Sequence, residues 1–499
     1  MSPPAARPAK PAGIFGREEE WNALAAFATH NAQRATLGIV SGRRRMGKTY
    51  LLDALAQELR GFFFTATADT STVSLRKFGA AMAAQRGQPA PFGFRTWDDA
   101  VTTLFELAAE GDSDEPMFVV IDEFPYLLKA APELASILQR EIDRHQTRRS
   151  RLRLLLCGSA MSVMGGLLGG NAPLRGRAHL EMVVKPFDYR TAAEFWGVGD
   201  APSLAARLFA VIGGTPAYRG FVVGDAPADL VDFDSWVGRT VLYRYSPLFL
   251  EARYMLGEEV DMRDPALYQS VLEAVSAGNA TRGGIANYIG RKTIDISHPL
   301  RVLEDCRLLV KDTDLFRTGR SQYRIAEPLI NFYEAVMRPA WAQLEQGRAT
   351  AVWAQSAERF TAQVLGPQFE VLCREHVLLT PPDALAGFLG DVGSGVVTDP
   401  QARRQIQIDV AAVTLGTGGS RAAVRLLGEA KWGTLMGVPH LERLIRARDV
   451  LADRGLDSEN CALACFSAAG FSDALRQRAE GGEVLLFGLD ALYGGSPPR

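Results

Sequence analysis

Continuous apolar runs, each followed by a polar or glycine-rich turn, recur through the first part of the chain. They lie at residues 36–40, 61–66, 117–121, 151–159 and 180–184. Unbroken apolar runs of this length are typical of strands in a parallel sheet that is buried on both faces. Apolar positions at helical spacing predict a helix that starts with residues 15–21, before the first run, and helices between the runs at 50–59 and 97–109. The pattern predicts an α/β domain with a parallel sheet.

The pattern changes after residue 260. Apolar stripes predict three short helices at 267–275, 283–289 and 296–308, with Ser297 capping the third, and residues 307–325 predict a two-stranded hairpin. Three helices followed by a hairpin resemble a winged helix-turn-helix. Two interpretations stay open, DNA binding and coupling between domains. In the first, five basic residues touch phosphates, namely Arg291, Lys292, Arg301, Arg317 and Arg320.

The last 143 residues again alternate helical and strand patterns. We predict a helix over 360–376, strands over 405–410 and 425–432 joined by a glycine-rich hairpin at 416–420, and further strands over 461–467 and 484–489 around a helix at 470–478. The predicted domains are a flexible tail at 1–13, an α/β core at 14–190, a helical lid at 191–260, a winged helix at 261–335, a connector at 336–356 and a second α/β domain at 357–499.

Composition adds little to this picture. The 499 residues are 47% hydrophobic and 22% charged, and a formal charge of −2 gives no global attraction to nucleic acid. Five scattered cysteines without a CxxC pair indicate reduced thiols. The tail lacks the apolar core of a signal peptide, and no apolar run is long enough to span a membrane. We expect a cytoplasmic protein without a membrane partner.

The first apolar run leads into a phosphate-binding pattern. Residues 42–49 fit G-x-x-x-x-G-K-[ST] between a predicted strand and a predicted helix. Glycines let backbone N–H groups wrap a triphosphate, Lys48 reaches the β- and γ-phosphates, and Thr49 offers a hydroxyl to Mg²⁺. The expected cofactors are ATP and Mg²⁺. The nucleotide-binding residues are Gly42, Arg43, Arg44, Arg45, Met46, Gly47, Lys48, Thr49 and Tyr50.

The strand at 117–121 ends in two carboxylates, which is the form of a Walker B segment. Asp122 is predicted to hold the Mg²⁺ water shell together with Thr49, and Glu123 to polarise the attacking water. Downstream, either Arg175 or Arg177 could serve as an arginine finger, in cis or toward a neighbouring subunit, and Arg177 is preferred, although a plain surface arginine explains each equally well. Pro216, in a glycine-rich turn, is predicted to press on the base.

Six motifs occur in a fixed order, and together they resemble the archaeal-type ATPases of the STAND and AAA+ branch of P-loop NTPases. They are FGRE, GRRRMGKT, VVIDE, CGSA, LRGR and GGTPAY, within residues 14–240. The resemblance implies that Phe15 and Arg17 lie near the adenine and that Ser159 senses the γ-phosphate. CGSA departs from the family, because many relatives have two hydroxyl residues there.

The last domain carries Asp409 on one predicted strand and Glu429 and Lys431 on the next, where they would share one face. Two carboxylates and an ammonium form a hard oxygen site for a metal ion, with Asp409 and Glu429 as ligands and Lys431 orienting water. The order resembles the PD-(D/E)XK nuclease core, a restriction-endonuclease-like α/β fold, and Glu370 matches its first-helix carboxylate. Arg403, Arg404 and Arg443 would then hold the polynucleotide backbone.

The sequence therefore predicts an ATP-hydrolysing switch that controls a metal-dependent, nuclease-like domain acting on nucleic acid, with DNA preferred. Archaeal ATPases with an appended nuclease-like domain resemble the whole chain. Two alternatives stay open. One is a STAND-like signalling or scaffold ATPase, which forms a homo-oligomer and recruits a protein partner through an inactive last domain. The other is an ATP-regulated DNA-binding regulator.

Overall fold

The computed structural model describes residues 7–110, 115–257, 264–317, 319–379, 385, 390–414 and 423–494. The predicted hairpin at 416–420 and the first six residues of the predicted tail lie outside these ranges. The chain folds into two compact units. The boundary between them along the chain lies between residues 186 and 187, four residues before the predicted boundary of 190 and 191.

The first unit is built on a five-stranded parallel sheet in the order β2-β3-β4-β1-β5. Its strands are β1 (Thr36–Ser41), β2 (Phe62–Thr65), β3 (Met117–Asp122), β4 (Leu152–Gly158) and β5 (Ala178–Val183). All residues of β1 and β4 are buried, as the continuous apolar runs predicted. The strand β4 lies between β1 and β3. The predicted parallel α/β architecture is therefore confirmed.

Helices cover both faces of this sheet. They are Glu18–Ala28, Lys48–Glu58, Ser71–Gln85, Trp97–Ala109, Phe124–Ala130, Leu134–Arg144 and Met161–Gly166. Ile39 points into the core on one face and Val40 into the core on the other, because successive strand side chains alternate. The helix Trp97–Ala109 has the predicted bounds, and its Thr96 accepts from the amide of Asp99 in a capping box.

The second unit begins with five helices, followed by three helices and the antiparallel hairpin of β6 (Leu309–Thr313) and β7 (Ser321–Ile325). The eight helices are Tyr189–Trp196, Pro202–Ile212, Ala217–Phe221, Leu230–Arg239, Pro247–Gly257, Pro265–Ser276, Arg282–Tyr288 and Ser297–Asp305. The predicted cap was wrong. Ser297 is the first helical residue, and its hydroxyl donates backwards to the carbonyl of Thr293.

Helix continues across the predicted connector. The segments are Pro328–Phe332, the π-helix Tyr333–Met337, the 3-10 turn Arg338–Ala340, Trp341–Glu345, Ala349–Phe360, the π-helix Thr361–Leu365 and Gly366–Leu379. One hydrophobic core runs from Ala193 to Leu365. The predicted boundary between 356 and 357 therefore falls inside continuous helix, because both sides of it pack into the same core.

The last part of the unit is a mixed five-stranded sheet in the order β12-β11-β10-β9-β8. Its strands are β8 (Gly390–Asp399), β9 (Arg404–Thr414), β10 (Val424–Lys431), β11 (Ala462–Ser467) and β12 (Leu485–Phe487). The helices Val438–Asp453, Asp473–Glu480 and Leu489–Leu492 accompany them. The edge strand β8 was not predicted. In the described ranges, no helix is long and apolar enough to cross a membrane.

Candidate nucleotide site and C-terminal carboxylate cluster

The phosphate-binding loop connects β1 to the helix Lys48–Glu58 at the carboxyl edge of the parallel sheet. Gly42 and Gly47 both have positive φ, 149° and 83°. A Cβ on Gly42 would lie 2.5 Å from the carbonyl oxygen of Val184, so no larger residue fits there. The backbone thus has the conformation for which the two glycines were predicted.

Lys48 is folded back into the loop. Its Nζ donates to the carbonyl oxygens of Gly42 and Arg43, at 2.6 and 2.9 Å. Burial lowers the pKa of this ammonium, and the nearby carboxylates, with Cys157, oppose the shift. The two carbonyl oxygens thus bind the ammonium group that the phosphate oxygens of a nucleotide would bind in their place.

Thr49 and Asp122 meet at the end of β3. The Thr49 hydroxyl donates to Asp122 Oδ2 at 2.7 Å, and the Asp122 side chain is almost fully buried. A hydroxyl and a carboxylate oxygen side by side are hard oxygen donors of the kind that Mg²⁺ prefers. The two residues therefore fit the predicted ion.

Glu123 follows directly and adopts a left-handed backbone conformation, with φ 52°. Ser159, just beyond the end of β4, donates its hydroxyl to Glu123 Oε2 at 3.2 Å. The neighbouring strands β3 and β4 bring these residues together. The carboxylate predicted to polarise water is thus held by the side chain predicted to sense the γ-phosphate.

The three arginines of the loop have different surroundings. Arg43 is largely buried, while Arg44 donates to the hydroxyl of Tyr126 at 2.8 Å. Arg45 adopts positive φ, 70°. Met46 packs in the core beside the sheet, and Tyr50 stays exposed. Arg44 is thereby tied to the helix that follows Glu123.

The segment predicted to contact adenine lies beside the same loop. Arg17 donates to the carbonyl oxygen of Met46 at 3.2 Å and pairs with Glu20 at 2.8 Å. The Tyr50 hydroxyl donates to the carbonyl of Gly13 at 3.4 Å, and Phe15 is 40% exposed. The geometry is compatible with a base near Phe15 and Arg17, which stays a prediction.

Arg177 does not lie near the loop in its own chain. It precedes β5, whose first residue, Ala178, pairs with Leu37 near the start of β1. Five residues of parallel strand separate that level from Gly42, about 17 Å at ~3.3 Å per residue. Its guanidinium makes two 2.7 Å bonds to the Asp143 carboxylate. A cis arginine finger at Arg177 was wrong, and a role toward a neighbouring subunit stays a prediction.

Pro216 lies in the second unit, just before the helix Ala217–Phe221. The preceding glycines do make a tight turn. Gly213 has φ 61°, and a Cβ on Gly214 would lie 1.9 Å from the carbonyl oxygen of Phe187. The contact of Pro216 with a base stays a prediction.

In the last sheet, Asp409 on β9 and the pair Glu429 and Lys431 on β10 come together. Lys431 Nζ lies 3.1 Å from Asp409 Oδ2 and 3.4 Å from Glu429 Oε1. Both carboxylates are buried, whereas the lysine side chain is 36% exposed. Ala430 packs inward between them. The ammonium thus bridges the two carboxylates.

Further cations neutralise this cluster. Arg443 pairs with both oxygens of Glu429, and its Nε lies 3.0 Å from Oε2, so it is not free to hold a polynucleotide backbone as predicted. Arg403 and Arg404 are exposed. Among the described residues, no group of three or more His, Cys, Asp or Glu side chains is arranged to hold a metal ion. The cluster therefore does not fit a bound metal ion while Arg443 occupies Glu429.

Glu370 lies on the helix Gly366–Leu379 beside this cluster. Burial, reinforced by the charge of Asp409, raises its pKa to about 7. Arg374, on the same helix, lies 4.0 Å from it and donates to the backbone carbonyl of Asp409 at 2.7 Å. The helix is therefore fastened to β9 next to the predicted site.

Near its other end, the helix Gly366–Leu379 contacts residues that the sequence did not indicate as functional. The Tyr189 hydroxyl and the Arg190 Nε both donate to the carbonyl of Leu492 at 2.7 Å, and an Arg190 nitrogen lies 2.9 Å from His376 Nδ1. Burial, followed by the charge of Arg190, lowers the pKa of His376 to about 4. The neutral ring accepts from Arg190.

A second contact joins the helix Pro202–Ile212 to the residue that follows β10. The Arg207 guanidinium, on the helix Pro202–Ile212, lies 5.7 Å from the ring centre of Trp432. Trp432 directly follows Lys431 and makes an edge contact with Phe369. Tyr189 and Ala206 belong to the hydrophobic core of the last sheet. The helices after residue 187 are thus built into the C-terminal fold.

The tip of the β6–β7 hairpin packs on the edge strand β8. The amide of Leu315 donates to the carbonyl of Ser394 at 3.1 Å, and the Asp314 carboxylate accepts from the amide of Val396. Arg317 donates to the hydroxyl of Thr398, and its predicted phosphate contact stays a prediction. Arg291, Lys292 and Arg301 are exposed.

Comparison with known proteins identifies similarity to ATPases. Residues 14–218, less than half of the chain, match the model of an ATPase domain predominantly from Archaea. An uncharacterized protein of Methanocaldococcus jannaschii is 25% identical over 367 residues, which cover 72% of this chain and 76% of the relative.

Among solved structures, a Walker-type ATPase of Pyrococcus abyssi aligns with 20% identity and a TM-score of 0.47, over 64% of this chain and 96% of that one. The ORC2 protein of Aeropyrum pernix in ADPNP and ADP complexes aligns with 14% identity and a TM-score of 0.40, over 69% and 96%. The family match and the loop geometry agree that residues 14–218 contain a P-loop ATPase domain similar to those found mainly in Archaea.

Proposed function

We propose that this protein is an ATP-binding and ATP-hydrolysing switch whose nucleotide state controls a C-terminal, restriction-endonuclease-like domain that acts on nucleic acid. The observation that carries the proposal is the hydrogen-bonded contact of Tyr189 and Arg190 with His376 and Leu492. The first two residues lie within the stretch that matches the ATPase domain, and His376 lies on the helix that carries Glu370.

At the nucleotide site, Lys48 would exchange its carbonyl partners for the β- and γ-phosphates. Thr49 and Asp122 would hold Mg²⁺, which would neutralise charge on those phosphates. Glu123 would orient and polarise the attacking water once Ser159 releases it. Release of Glu123 would thus link catalysis to the γ-phosphate, for which Ser159 is the proposed sensor.

The three helices and hairpin of residues 265–325 support a winged-helix module. Because the hairpin tip packs on β8, its contacts favour the coupling interpretation over direct reading of DNA bases. The hairpin would then contact the last sheet at β8, while the helices after residue 187 contact the same sheet through its hydrophobic core. We infer that the module passes the nucleotide state to the last domain.

Hydrolysis is tested by Lys48→Ala, compared with Lys77→Ala, which removes a half-exposed lysine paired with Asp69. We expect Lys48→Ala to lower the hydrolysis rate at least about 100-fold, since preorganised cationic contacts to phosphate contribute on that scale. Full residual hydrolysis in Lys48→Ala would reject the proposal, and the Lys77 variant should match wild type.

A second function, phosphodiester cleavage, is favoured by the position of Lys431 between Asp409 and Glu429. Because Arg443 occupies Glu429, the cluster as it stands is suited to binding, and cleavage requires Arg443 to leave. Incubation with DNA or RNA and Mg²⁺ or Mn²⁺ tests this. Lys431→Ala should abolish nicking while ATP hydrolysis persists, and absence of cutting by wild type would leave the domain as a binding module.

A further inference from the structure

The loop between the helices Leu230–Arg239 and Pro247–Gly257 holds two aromatic side chains in solvent. Tyr243 is 48% exposed and Tyr245 is 70% exposed, and their rings meet edge to face at 5.4 Å between centres. Exposed apolar groups that lie together, unlike those scattered singly, can mark an interaction site. This pair therefore needs an explanation beyond folding.

The loop is held firmly beneath these rings. Val241 and Leu242 are fully buried on one side, and Leu248 is fully buried on the other. The amide of Ser246 donates to the carbonyl of Tyr243 at 2.8 Å and closes the turn. The tyrosines are thus presented by a structured turn, and their exposure does not come from loose packing.

Two arginines lie on aromatic faces at this surface. The Arg244 guanidinium lies 4.7 Å from the ring centre of Tyr245, and that of Arg253 lies 5.0 Å from the ring centre of Trp341. Arg244 also donates to the carbonyl oxygen of Glu345, whose carboxylate accepts from Trp341 Nε1 at 2.7 Å. Glu345 therefore ties the loop and Trp341 together.

The contacts described at this surface involve two guanidinium groups and one carboxylate. Glu345 is the carboxylate in these contacts, and it is bound to an indole N–H rather than to an arginine. Arg244 is held by a backbone carbonyl and the Tyr245 ring, and Arg253 by the Trp341 ring. Phe249 stacks on Trp341 at 4.5 Å between ring centres, so Trp341 serves to hold Arg253, and the rings available to bases are those of Tyr243 and Tyr245. Guanidinium groups held beside such exposed rings can contact phosphates while the rings stack on bases.

We propose that this aromatic–arginine surface, formed by Tyr243, Arg244, Tyr245, Arg253 and Trp341, binds single-stranded nucleic acid. Stacking on rings needs unpaired bases, which a duplex does not expose. A protein partner would also use tyrosine and arginine, but two guanidinium groups against one carboxylate favour a polyanion. The site goes beyond the proposed function, because it requires neither ATP hydrolysis nor cleavage.

The test is the binding of a short fluorescein-labelled oligothymidylate by the full-length protein, followed by fluorescence anisotropy. We expect Tyr245→Ala to weaken binding at least about fivefold, as for the loss of one stacked base, and Tyr245→Phe to retain it. Arg244→Ala should lower the slope of log affinity against log salt by about 0.7, the value for one phosphate of a single strand. Arg86→Ala, which removes an exposed arginine of the first unit, should change neither.

Three results would overturn the proposal: no measurable oligonucleotide binding, equal affinity of wild type and Tyr245→Ala, or tighter binding of the corresponding duplex. ATP hydrolysis is measured on the same samples. Normal hydrolysis in Tyr245→Ala together with lost binding supports a separate strand-binding site. Failure of hydrolysis in wild type would reject the switch without bearing on this surface.

Discussion

Arg190 lies 2.9 Å from His376 Nδ1, across 186 residues of sequence. One partner belongs to the stretch that matches the ATPase domain, and the other to the helix that carries Glu370. A displacement of Arg190 therefore acts on the element that borders the carboxylate cluster. Because both residues belong to the second unit, this contact is one step of the proposed path to the C-terminal domain and not its link to the nucleotide loop.

Glu123→Gln should reduce the rate of ATP hydrolysis about 100-fold or more, the usual contribution of a general base. Nucleotide binding should persist, because Lys48, Thr49 and the loop backbone are unchanged. Steady-state hydrolysis and equilibrium binding of a fluorescent ATP analogue separate the two effects. Glu133→Gln, which alters an exposed carboxylate in the same unit, is the control. Unchanged hydrolysis in Glu123→Gln would remove Glu123 from the mechanism.

Arg177→Ala should leave hydrolysis by dilute protein unchanged. Arg177 lies at the amino edge of the sheet and pairs with Asp143, so its loss should cost only about 0.5–1 kcal/mol of unfolding free energy, as for a partly exposed ion pair. Hydrolysis rates over a range of protein concentrations check this. A loss at every concentration would restore a cis role, whereas a loss only where the protein associates would support a finger in trans.

Glu370→Gln should change how stability depends on pH. Because the folded-state pKa of Glu370 is raised to about 7, the folded protein binds a proton that the unfolded chain releases near pH 4.5. That stabilisation is complete below the unfolded pKa and is lost as pH rises through 7. Glutamine imitates the neutral acid, so the variant should gain stability relative to wild type between pH 5.5 and 8.

The expected gain is about 1 kcal/mol, reduced by solvent screening because the Glu370 side chain is 29% exposed. Denaturant titrations at several pH values measure it. Glu358→Gln, on an exposed position of the preceding helix, should show no such trend. A constant difference between Glu370→Gln and wild type across this range would contradict the raised pKa.

The conformation of the phosphate-binding loop was predictable from the sequence because its signals are local. The positive φ of Gly42 and Gly47 is a conformation that favours glycine. Asp122 ends a buried strand, and in a parallel sheet the carboxyl ends of the strands lie at one edge. Glu370 and Lys431 were found through a family pattern, since their spacing alone carries little information. The proximity of Lys431 to Asp409 follows from the pairing of β10 with β9, whereas Glu370 reaches Asp409 through the packing of its helix on the sheet.

The elements that sequence reasoning missed depend on distant partners. The strand β8 contains three glycines and no clear alternation, and it is ordered by pairing with β9. Leu315 and Phe316 looked like part of a free wing, yet they pack against the core of the last sheet. Asp143 and Glu429 pair with Arg177 and Arg443, two arginines that the sequence assigned to phosphates. None of these pairings leaves a local signal.

The central claim is that nucleotide binding alters the C-terminal domain through the contacts of Arg190 and Arg207. The most direct measurement is backbone hydrogen exchange in residues 366–379 and 424–432, with and without a slowly hydrolysed ATP analogue. The account predicts changed exchange in these segments in wild type and no change in Lys48→Ala. Bound analogue without any change in either segment of wild type would contradict it.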